Sequence, residues 1–117
     1  MTINPELVSR IERAVDERRD QTVALLQSLV RVPSVTNNEG PVQEVVAAAF
    51  AERGLEVDTW EATAEEIAPY VDHVGQQTVF EGRTNVAGIR RGSGGGRSIL
   101  LNAHADTVEN GDPATGT

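Results

Sequence analysis

The chain has 117 residues, 38% of them hydrophobic, with a formal net charge of −8 and a sequence pI near 4.6. That length suits one small domain or part of a larger one, and the acidity argues against nucleic-acid binding, which needs a basic footprint. The absence of cysteine excludes disulfides, thiolate zinc sites and cysteine nucleophiles, and the absence of lysine excludes Schiff-base chemistry and a phosphate-loop lysine.

Asn4-Pro5 reads as a helix start, with asparagine as N-cap and proline in the first turn. Leu7, Val8, Ile11 and Val15, then Val23, Leu26, Leu29 and Val30, recur at helical spacing. The polar stretch Asp16-Glu17-Arg18-Arg19-Asp20 between them is a solvated face or a break, so one long helix or two in series should end before Pro33. Residues 32–40 read as a loop. Pro41 opens a further helix through Val42, Val45, Val46, Ala49 and Phe50, which Gly54 terminates.

Leu55-Glu56-Val57-Asp58-Thr59-Trp60 alternates and predicts a strand, and Asn85 to Arg90 predicts a second. The stretch from Glu61 to Gln77, acidic and holding Pro69, predicts a short helix or an irregular loop. His73 within it has no recognisable ligand spacing. Arg97 to Asn102 predicts a third strand, joined to the second by Arg91-Gly92-Ser93-Gly94-Gly95-Gly96. That glycine run joins two strands and carries no G-K-[ST], so a flexible hairpin turn is expected rather than a phosphate cradle. The whole reads as an α/β chain. No window approaches the ~18 apolar residues of a membrane span. Residues 1–6 lack a secretory profile, so a cytoplasmic location is expected, with neither membrane nor nucleic acid as partner.

The apolar run Ile99-Leu100-Leu101 ends in His104-Ala105-Asp106, where a buried strand would deliver an imidazole and a carboxylate to its C-terminal end. In an extended segment side chains two apart point the same way. One can then ligate a metal while the other holds the second ring nitrogen and sets the tautomer. Without cysteine, any metal must be held by His, Asp and Glu, which suits zinc, with cobalt or manganese as alternatives.

Four phrases, in order, resemble the N-terminal part of the co-catalytic zinc deacylases and peptidases: acetylornithine deacetylase, succinyl-diaminopimelate desuccinylase, the carboxypeptidase G type and the aminoacylases. They are Leu25-Leu26-Gln27-Ser28-Leu29-Val30-Arg31-Val32-Pro33-Ser34; Glu39-Gly40 with the helix and strand that follow; Arg83-Thr84-Asn85-Val86; and Leu100-Leu101-Asn102-Ala103-His104-Ala105-Asp106-Thr107-Val108. Ala103 stands where that family usually has glycine, Glu109 where it has proline, and Gly116 where it has tryptophan.

The resemblance implies the N-terminal part of a three-layer α/β zinc-peptidase catalytic domain, helices followed by a mixed sheet, incomplete over residues 1–117. It implies His104 as a zinc ligand and Asp106 as the carboxylate that orients it. The implied reaction is hydrolysis of an N-acyl amino acid or peptide-like amide by two divalent metals, with a homodimer among the expected assemblies. The remaining ligands and the general base of that family fall beyond Thr117, so the isolated chain is expected to be inactive. Two other readings stay open: a small non-catalytic α/β binding domain, and a truncated gene remnant.

Overall fold

A computed structural model describes residues 4–74 and 80–108. The chain divides into two units, Met1–Arg31 and Val32–Thr117. In the first unit, the Asn4 side chain accepts from the Glu6 amide at 3.0 Å and starts helix α1, Pro5–Asp16. The polar stretch proves to be a break. The Arg18 amide donates to Val15 O at 3.0 Å, its guanidinium caps Ala14 O at 2.9 Å, and α2 resumes over Arg19–Val30. These are two helices in series. Leu7, Ile11 and Val15 on α1 are exposed.

In the second unit, residues 32–39 form the expected loop, and α3 covers Gly40–Glu52. Gly54 stops this helix at φ +69, a conformation that costs glycine little. Its amide reaches Ala51 O at 2.9 Å, and the Leu55 amide reaches Phe50 O at 3.1 Å. This crossed pair of bonds is a Schellman closure, and it satisfies carbonyls that the helix end would leave orphaned.

The chain turns directly into β1, Glu56–Glu61, which pairs antiparallel with β2, Thr84–Ile89. Val57 lies opposite Gly88, and Trp60 opposite Asn85. Helix α3 packs on this ribbon, burying Val42 and Ala49. Gly88 lets it sit close, because a Cβ there would fall 2.6 Å from Phe50 Cδ2 and 2.7 Å from Leu55 Cδ2. Between the strands, a Thr63–Glu66 capping box starts α4, Ala64–Ile67, followed by a 3-10 turn, Ala68–Tyr70, and α5, Val71–Val74. Residues 75–77 of the stretch from Glu61 to Gln77 lie outside the described residues, as does the side chain of His73.

Two expectations need correcting. No strand forms over 97–102, and residues 91–97 therefore close no hairpin. Gly94 and Gly95, at φ 91 and 75, carry the chain through a bend instead. The physical reason is pairing: a strand exists through its ladder, and β2 makes its ladder with β1 alone among the described residues. Ile99, Leu100 and Leu101 consequently remain 83%, 89% and 86% exposed, so the run that ends at His104 is not a buried strand. The described sheet is purely antiparallel, with one isolated parallel bridge between Val35 and Thr107. The architecture is thus a small α/β fold. No helix among the described residues is long and apolar enough to cross a membrane.

Candidate imidazole–carboxylate site

The site is assembled where the 32–39 loop meets residues 103–107. The Thr107 amide donates to Ser34 O at 2.8 Å, and Val35 bridges Thr107 in parallel. Ser34 is buried, at 5% exposure, whereas Thr107 is exposed. Just after this clamp the loop reverses. The Asn38 amide donates to Val35 O at 2.8 Å, and Asn37 takes φ 77, a left-handed conformation that asparagine tolerates better than most residues.

The turn is anchored from below. Glu39 Oε1 accepts from the Asn37 amide at 2.9 Å. Both oxygens of Glu39 are gripped by the Arg83 guanidinium, Nε to Oε2 at 3.0 Å and Nη2 to Oε1 at 2.9 Å. Burial pushes the Glu39 carboxyl up, but the Arg83 and Asn37 bonds outweigh it and hold the carboxyl below its ordinary value. Gly40 follows at a point where a Cβ would lie 2.5 Å from Gly82 O, so the start of α3 touches the backbone that leads into β2.

On this base His104 and Asp106 meet. His104 Nδ1 lies 2.8 Å from Asp106 Oδ1 and 3.2 Å from the Asp106 carbonyl oxygen. Both neighbours of Nδ1 are acceptors when the carboxylate is ionised, so in the neutral ring this geometry favours the proton on Nδ1 and the lone pair on Nε2. The other carboxylate oxygen, Oδ2, accepts from the Thr36 hydroxyl at 3.0 Å. The Thr36 bond is the main cause holding the Asp106 carboxyl below its ordinary value, with the His104 bond next. The imidazole is 84% exposed, and Nε2 has no hydrogen-bond partner among the described residues. An open cleft of about 250 Å³ lies beside the ring, with Gln43, Phe80, Arg83 and Asn85 among its lining.

The structure therefore brings together the two residues singled out in the sequence, and it adds three that sequence reasoning missed as site builders. Thr36 lies 70 positions from Asp106, and Arg83 lies 44 from Glu39. Glu39 and Arg83 stood only as landmarks of resemblance, and nothing local in the sequence marks their pairing. Glu109 and Gly116 lie outside the described residues.

Chemically, the arrangement offers one oriented imidazole nitrogen with a lone pair. A zinc site takes four ligands, three of them from protein in open catalytic centres. Among the described residues no group of three His, Asp or Glu side chains could hold a metal ion. The residues present thus fit one coordination position and fall short of a centre. No family model, curated protein or solved structure matches the chain.

Proposed function

We propose that this chain is the N-terminal portion of a metal-dependent amidohydrolase, a deacylase or peptidase acting on an N-acyl amino acid or related amide. In this reading its three-layer zinc-peptidase domain is completed by residues beyond those present. His104 offers Nε2 to one zinc ion, and Asp106 orients the ring. The metal, when bound, supplies an activated water and polarises the acyl carbonyl. This chain's own part is narrower: it holds one ligand in one tautomer at the edge of an open cleft.

The observation that carries the reading is the 2.8 Å bond between His104 Nδ1 and Asp106, with the opposite nitrogen left accessible. Histidines that bind metal are characteristically held in this way by a carboxylate on the other nitrogen. The order of the four sequence phrases adds to it, since three of them contribute to one cleft through Glu39, Arg83 and His104.

A zinc titration of the purified chain followed by imidazole NMR tests the proposal. Zinc should perturb Nε2 of His104, the perturbation should vanish in His104→Ala, and the Kd should be weaker than about 10 µM for so few ligands. The chain alone should release no amino acid from N-acyl substrates. A His104 ring indifferent to millimolar zinc overturns the metal role, and hydrolysis by the 117-residue chain overturns its incompleteness.

A further inference from the structure

We infer that Thr36 is a positioning residue that sets the tautomer and ring orientation of His104 by fixing the Asp106 carboxylate; its importance for metal capture rests on the function proposed above. The starting point is a difficulty. An exposed histidine two residues from an aspartate is free to meet it in several rotamers, because a carboxylate held at one oxygen can still swing about its own axis. Such a pair presents Nε2 in no single direction.

The second oxygen removes that freedom. Asp106 Oδ2 accepts a hydrogen bond from the Thr36 hydroxyl at 3.0 Å while Oδ1 lies 2.8 Å from His104 Nδ1, so the carboxylate is held at both ends and its plane is defined. The ionised carboxylate can only accept, and with its plane defined Oδ1 stays aimed at Nδ1, which favours the neutral form with the proton on Nδ1 and the lone pair on Nε2.

The hydroxyl is itself placed by backbone. On one side the Thr107 amide is bonded to Ser34 O and Val35 bridges Thr107, which sets the loop against the segment that carries Asp106. On the other, the Asn38 amide closes the turn onto Val35 O, and Asn37 is tied through its amide to Glu39, which Arg83 grips. Thr36 sits between these two anchors. The position therefore asks for a short β-hydroxyl: serine would serve, whereas valine matches the shape and cannot donate.

The test uses the ¹⁵N-labelled chain without metal at a pH of about 8, above the usual imidazole range. Long-range ¹H–¹⁵N spectra then report how the neutral His104 ring divides between its Nδ1–H and Nε2–H forms. Wild type should be mainly Nδ1–H. Thr36→Val should lower the Nδ1–H to Nε2–H ratio at least twofold, and Thr36→Ser should restore most of it. Thr36→Ala, which also lacks the hydroxyl but adds no branched methyl, should match Thr36→Val and guards against a packing fault. An unchanged ratio in the valine and alanine variants overturns the inference, as does a serine variant that fails to recover. The readout is independent of zinc. A ratio that moves while zinc ignores His104 defeats the metal proposal alone, and a ratio that stays put while zinc binds His104 defeats this one alone.

Discussion

Replacing Arg83 by methionine should cost the second unit much of its stability, and the size of the loss follows from the Glu39 environment. The Glu39 side chain is 10% exposed and that of Arg83 is 21% exposed. Methionine keeps the apolar stem and deletes the charge-assisted bonds to Glu39, at 2.9–3.0 Å, leaving the carboxylate with backbone amides, that of Asn37 among them. Breaking a fully buried ion pair costs about 3–5 kcal/mol, while a hydrogen bond to a charged group contributes about 1.5–3. Water can enter beside a guanidinium that is one-fifth exposed, so about 2–3 kcal/mol is expected, or a folding equilibrium lowered roughly 30- to 150-fold.

Trp60, the single tryptophan, lies on β1 opposite Asn85, so urea unfolding followed by its fluorescence reads this region. Arg83→Lys keeps the charge and loses the fork, and should fall between wild type and methionine. A loss below about 0.5 kcal/mol for Arg83→Met, the size of an ordinary surface change, would refute the idea that this pair anchors the site.

Gly88→Ala should destabilise by about 1–3 kcal/mol in the same assay, because the new methyl collides with Phe50 and Leu55. Unchanged stability would mean that α3 does not seat on β2 as described. The Glu39 carboxyl is lowered in the folded state, so its contribution is complete above its unfolded pKa of about 4.3 and is lost as pH falls through the lower folded value. The stability gap between wild type and Glu39→Gln should therefore narrow below about pH 4, and a gap constant from pH 7 to pH 3 would contradict the assignment.

Helix boundaries were readable where a single residue's chemistry decides them. Asn4 and Pro5 start α1, Pro41 lies in the first turn of α3, and Gly54 ends α3 through its left-handed backbone. Alternation sufficed for β1, and spacing sufficed for the meeting of His104 with Asp106. What failed was the third strand, and what went unseen were the contacts that join the loop to distant segments. The run Ile99-Leu100-Leu101 has strand composition, but composition supplies no neighbouring edge to pair with. Thr36 looks like any loop threonine until a segment 70 residues away is laid beside it. Arg83 and Glu39 were noticed as letters in two separate phrases, and only folding shows that they are one ion pair.

The clamp between Ser34 and Thr107 divides the site by the moment of its making. His104 and Asp106 are so near in the chain that their bond can flicker into being before any tertiary structure exists. The hydroxyl of Thr36 cannot arrive until some seventy residues have been gathered into a loop. Contact at the outer carboxylate oxygen therefore reports a fold, where contact at the inner one reports a local pair. Maturation of the ligand and consolidation of the domain are, at that oxygen, a single event.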